Sequence, residues 1–139
     1  MTKKEERKYL FDMYGGKCSY CGCELGDKWH ADHKEPVRRL VQTIYDSEKQ
    51  KYRYTRIGME NPHLDTLENK TPSCASCNIN KHAMGVEEFR LFIQGFIDTL
   101  NRHNVCYKVA KRYGLLTETG NKVEFYFERH NNPKKGEKK

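Results

Sequence analysis

No apolar run in this chain approaches the roughly 20 residues that a membrane span requires. The N-terminal MTKKEERKYL likewise has no apolar stretch of the kind found in a signal peptide, so the expected location is the cytosol. The 139 residues are too few for two independent hydrophobic cores, and a single domain is expected. The chain has no internal repeat beyond one short cysteine pattern, and no strand–helix–strand pattern surrounds either copy of it. Without a βαβ unit, a thioredoxin-like dithiol lacks its usual scaffold.

What the chain does have is positive charge and cysteine. Lys and Arg number 26 against 19 Asp and Glu, a formal net charge of +7, and an excess of this sign favours a polyanionic partner such as nucleic acid. Six cysteines in a reducing compartment point to metal or redox chemistry before structural disulfides. Four of them form two Cys-x-x-Cys knuckles, Cys18/Cys21 and Cys74/Cys77. Each knuckle supplies two corners of a tetrahedron, so two complete one structural zinc site. The segment between them is longer than in a compact zinc ribbon and reads as a folded insert closed by the metal. Cys23 reads as a loop residue beside the first knuckle that could stand in as a ligand, and Cys106 as a small buried hydrophobe.

Lys3 to Tyr14 is predicted helical, with Leu10, Phe11 and Tyr14 as its apolar stripe and Gly15-Gly16 as its stop. KWHADH alternates as a short strand. VRRLVQTIY fits a helix or a strand, KYRYTRIG a strand and MENPHLD a loop. Pro72 keeps a helix from starting ahead of the second knuckle, and NINKHAM follows as a short helix that Gly85 ends. VEEFRLFIQGFIDTL places Val86, Phe89, Phe92, Ile93, Phe96, Ile97 and Leu100 at helical spacing and is predicted to be a core helix. KVAKRYGL reads as a basic packing helix stopped by Gly114. KVEFYFE, alternating Val123, Phe125 and Phe127, reads as a half-buried strand. The terminal HNNPKKGEKK is a polar, basic, disordered arm that adds non-specific phosphate attraction.

The polar residues around the knuckles form an ordered set. Adjacent Asp32 and His33 open the insert in WHADHKEP, Asn69 precedes the second knuckle, and Asn78 and His82 follow it in CASCNINKH. Residues i and i+4 share one helix face, so Asn78 and His82 are candidates to address one ion. Taken singly, His33 reads as an ordinary strand histidine and Asp32 as a turn carboxylate. His30 and His63 read as surface or packing residues.

In this order the residues resemble the HNH endonucleases, small nucleases often stapled by two such knuckles. The matching positions are Asp32-His33 for the first His element, Asn69 for the middle Asn, and Asn78 within CxxCNxxK for the last. The resemblance covers Tyr14 to about Met84, and Asn78 departs from the His of the name-giving motif. It implies a ββα-metal core held by a four-cysteine zinc staple (Cys18, Cys21, Cys74, Cys77); with the helices and the C-terminal strand read above flanking that core, the expected fold is α+β. The domain would span 1–129, with its motif core at 14–84 and a tail from 130.

The implied activity is metal-dependent hydrolysis of DNA phosphodiesters, leaving 5′-phosphate and 3′-hydroxyl ends. His33 suits the general base because its unperturbed pKa lies near neutrality. Asp32 and Asn78, with His82 as a further donor, form an oxygen-rich set that favours magnesium or manganese. As the resemblance implies, Asn69 would pin the loop bearing the catalytic histidine. Lys81, Arg38 and Arg39 are candidate phosphate contacts. The overall layout is most like free-standing phage and prophage HNH proteins, acting in the bacterial cytoplasm as a monomer or homodimer, some beside a packaging terminase. A zinc-stapled module that binds DNA without cleaving it is the alternative.

Overall fold

A capping box starts the first helix. In the computed structural model, which describes residues 1–130, the Thr2 hydroxyl accepts the Glu5 N–H at 3.2 Å and the Glu5 carboxylate accepts the Thr2 N–H at 2.8 Å. Helix α1 (Lys3–Met13) therefore begins with two of its orphan donors satisfied. It stops at Gly15 and Gly16, both at positive φ, as expected. Glu6 pairs with Lys70 at 2.6 Å, and the Arg7 guanidinium lies 3.9 Å over the Trp29 ring, so the helix is fastened to the strands beside it.

Those strands are β1 (His30–His33) and β4 (Lys70–Ser73), antiparallel, with His30 opposite Ser73 and His33 opposite Lys70. The sequence reading did not anticipate β4. Its Pro72 is tolerated because both strands of a two-stranded sheet are edges. Helix α2 (Ala75–Lys81) follows at once, with Cys74 as its N-cap, and packs on β1. Between β1 and β4 the chain runs out and back as β2 (Arg39–Asp46) and β3 (Lys51–Met59), a second antiparallel pair. The ambiguous VRRLVQTIY thus resolves as strand.

After α2 come α3 (Val86–Gln94), α4 (Phe96–His103) and α5 (Val105–Arg112). Two expectations change here. The predicted core helix breaks at Gly95, and only Phe89 of its apolar stripe is buried. Phe92, Phe96 and Ile97 are partly exposed, because the apolar centre beneath these helices is small. Cys106 is exposed at the start of α5 rather than buried.

The predicted C-terminal strand is also corrected. Residues 121–125 form no strand, and α6 (Tyr126–His130) follows. The alternation at Val123, Phe125 and Phe127 still packs the three residues on the core, yet their N–H groups go elsewhere. Val123 donates to the Gln94 side chain at 2.7 Å and Phe127 to the Ser19 carbonyl at 2.8 Å.

The centre of the molecule is the first knuckle and what surrounds it. Cys18, Tyr20, Phe89 and Phe125 are buried together, with Cys74, Cys77 and Met84 among the residues packed around them. Tyr20 meets Phe89 edge-on at 5.5 Å and Phe125 at 5.4 Å. The described residues form a mixed helix-and-strand, α+β unit, and none of its helices is long and apolar enough to cross a membrane. The tail expected from residue 130 starts one residue too early, since His130 closes α6, and the rest of it, 131–139, lies outside the described residues.

Candidate functional site

The knuckles come together as their spacing predicts. The Sγ atoms of Cys18, Cys21, Cys74 and Cys77 all lie within 4.8 Å of one another, and Cys21 and Cys74 are 3.8 Å apart. Four thiolates about 2.3 Å from a tetrahedral zinc would stand about 3.8 Å from each other. The cluster is therefore compatible with a structural metal ion such as zinc. In the first knuckle, Cys18 N–H donates to the Cys23 carbonyl and Gly22 N–H to Cys18. Gly22 sits at φ 78°, and a Cβ there would come within 2.9 Å of the Tyr126 ring, so this turn requires glycine.

The thiols divide their proton unevenly. A hydrogen bond with Cys77 draws Cys18 down to about 4, while the same contact pushes Cys77 up. Thiols packed this closely favour partial deprotonation, and a divalent cation would neutralise that charge. Cys23 lies beside the cluster but outside the four. Burial and its contacts with Cys21 and Cys74 push its thiol up to about 12.

Next to this staple lies an open cleft of about 690 Å³ between β1, the base of the β2–β3 hairpin and the C-terminal end of α2. Asp32, His33, Asn78 and His82 all border it, together with Arg38 and Arg39. Asp32 is the one carboxylate among the lining residues, and His30, read from sequence as a surface residue, also reaches the rim. Among the described residues, two of the three non-glycine residues at positive φ, Arg38 (36°) and His82 (50°), belong to this lining. Side chains rarely adopt that backbone, and such outliers cluster at functional sites. His82 has left α2 as its C-cap, so the helical i, i+4 face argued for it and Asn78 does not hold as such. Both side chains nonetheless meet at the same cleft.

Asp32 is 8% exposed and held from two sides. Tyr20 donates to its Oδ2 at 2.7 Å, and the Lys81 ammonium stands 3.1 Å from the same oxygen. Lys81 is wholly buried, and its second bond goes to the His33 carbonyl at 2.8 Å. That placement corrects the reading of Lys81 as a phosphate contact, since its charge is turned inward to the strand. It also ties α2 to both residues of the Asp32-His33 pair. Tyr20 was missed by the sequence reading. Its only signal was its place inside the first knuckle.

His33 is oriented by a residue that no spacing had marked. Its Nε2 lies 2.9 Å from Asp65 Oδ1, and this contact is the main reason the Asp65 carboxyl is held below its ordinary range. Asn69 stands outside the cleft lining and secures the loop that carries Asp65. Its amide oxygen accepts the Glu35 N–H at 3.0 Å, and its nitrogen donates to the carbonyls of Glu35 and Leu64, each at 2.8 Å. One side chain therefore clamps the turn after His33 to the turn before Asp65.

Arg38 and Arg39 are exposed at the mouth, with Arg38 3.9 Å from Glu60. Chemically, the cleft offers a carboxylate oxygen, an amide and imidazoles beside exposed guanidinium groups. That donor set can take a hard cation and an anion together. No family model, curated protein or solved structure matches the chain.

Proposed function

We propose that this chain is a metal-dependent DNA endonuclease of the HNH, ββα-metal type, with β1, β4 and α2 as its catalytic unit. One observation carries the reading: Asp32, His33, Asn78 and His82, from the two arms of a cysteine-clamped unit, border a single cleft. In this role His33 takes the proton from the attacking water. Bonded to Asp65 through Nε2, the ring favours the tautomer with its hydrogen there and leaves Nδ1 as the basic nitrogen.

Asp32 and Asn78 would hold the catalytic magnesium or manganese, with His82 as a further donor. The donor set fits, because both bonds to Asp32 fall on Oδ2 and Oδ1 remains available. When bound, the ion supplies Lewis-acid stabilisation of the charge that develops on the departing oxygen. Arg38 and Arg39 grip flanking phosphates, and Asn69 keeps the Asp65 loop in place.

The chain's net charge of +7 suits a polyanionic substrate. With one such site per chain, the expected product is a nick. Protein with stoichiometric zinc should nick supercoiled plasmid in magnesium or manganese and not without them. DNA ligase should reseal the nicks, since the ends are 5′-phosphate and 3′-hydroxyl. Nicks that ligase cannot close would contradict the assigned leaving oxygen.

The second reading, a DNA-binding module without a catalytic ion, draws on the Lys81–Asp32 pair, which already neutralises the one carboxylate of the cleft. It predicts the same salt-sensitive binding and no cleavage in either metal.

A further inference from the structure

The β2–β3 hairpin has no part in the core. Every residue of β3 and all of β2 but Asp46 are exposed, and Tyr52, Tyr54 and Ile57 are each at least 60% exposed. An isolated two-stranded ribbon with both faces in water is marginal on its own account, and apolar and aromatic groups displayed this way mark a surface that meets something.

The register sorts its side chains. Val41 opposes Arg56, Thr43 opposes Tyr54 and Tyr45 opposes Tyr52, so these six share one face, and Arg39 joins them by alternation along β2. That face carries two arginines and three tyrosines and no acid. The other face holds Asp46 opposite Lys51. Arg39 also borders the cleft, so the acid-free face runs continuously into the candidate site. Gly58, at φ 151°, accompanies the register shift at Leu40/Val41, a bulge that sets the ribbon's angle to the body.

We infer that this ribbon is a duplex-DNA docking arm, which lays its Arg39–Tyr54–Arg56 face in the major groove beside the cleft. The identity of the ligand rests on the endonuclease reading. A two-stranded ribbon fits a groove about 12 Å wide, and eight residues of strand reach about 26 Å along it. Arginine recognises guanine edges and phosphates in bidentate fashion, and tyrosine hydroxyls donate to phosphate oxygens.

The test is a binding measurement on full-length, zinc-loaded protein without magnesium or manganese, by anisotropy of a labelled 30-base-pair duplex. Tyr54→Ser/Arg56→Gln removes one charge from the docking face, and Ile44→Ser/Arg53→Gln removes one from the other. All four positions are exposed, so both variants should keep their zinc and their circular dichroism. The first should weaken duplex binding about tenfold or more, the value of one good arginine contact. The second should change it less than about threefold. Methylation of guanine N7 should interfere with binding by the native protein.

Equal losses in the two variants, no loss in either, a preference for single strands, or interference confined to adenine N3 would each overturn the docking arm. So would a self-association that the first variant abolishes while duplex binding stands. Because the readout is binding, the two ideas can fail separately. Docking without cleavage removes the nuclease reading alone, and cleavage at unaltered kcat/KM by the first variant removes the docking arm alone.

Discussion

Cys77→Ser, or removal of the metal with a strong chelator, should abolish cooperative folding. Few side chains hold the described residues together from the inside: the buried hydrophobic residues are Leu10, Cys18, Tyr20, Trp29, Val37, Phe89 and Phe125. A core this small is the situation in which a metal or disulfide supplies the missing stability. Cys18 belongs to the core itself, and Cys74 and Cys77 pack against it. Losing the ion would therefore leave close-packed thiols competing for protons at the centre of the fold. Structural zinc is worth about 10–16 kcal/mol in zinc-finger peptides, more than the whole stability of many domains of this size. The metal-free protein should lose its near-UV dichroism and its sigmoidal thermal transition. A sharp transition at an unchanged midpoint, in protein verified free of metal, would show that the four cysteines are not a staple.

Lys81→Met should destabilise the zinc-loaded protein by about 3–5 kcal/mol, the usual cost of removing one partner of a buried ion pair. The substitution keeps most of the volume of a fully buried side chain. It leaves Asp32 with only the Tyr20 hydroxyl, and the His33 carbonyl without its donor from α2. Adding Asp32→Asn should recover part of the loss, because the stranded charge is removed with its partner. Urea unfolding of native protein and the two variants measures this directly. A Lys81→Met variant within about 0.5 kcal/mol of native, the range of ordinary surface changes, would mean that the ammonium is not committed to Asp32.

How much of this could be read beforehand depended on how local each signal was. The four-cysteine cluster was legible because a Cys-x-x-Cys turn fixes two ligands within four residues, and only one partner turn exists. Helix α1 was legible through its glycine stop, and β1 through its alternation. What the sequence hid were interactions between distant segments. Asp65 meets His33 across 32 residues, and nothing in MENPHLD marks that contact. The position of Lys81 on α2 could be read, but not that it reaches inward under β1, since lysines are rarely buried unless paired. Helical periodicity in VEEFRLFIQGFIDTL was real, yet periodicity does not say how much core is available to receive it: only Phe89 is fully buried, with Val86 and Ile93 packed at the edge of the core. In KVEFYFE the period-2 pattern likewise described burial correctly and pairing wrongly, because side-chain and loop acceptors took the N–H groups that a neighbouring strand would have used.

The most direct test of the account compares native protein with His33→Ala in the cleavage of supercoiled plasmid, with magnesium, with manganese and with neither, after the zinc content of both has been matched. Loss of a positioned general base costs about 10²–10⁴ in rate. The account predicts metal-dependent nicking by the native protein and a drop of that size in the variant, with duplex binding retained. Equal cleavage by both proteins, or none by the zinc-loaded native protein in either metal, would contradict it.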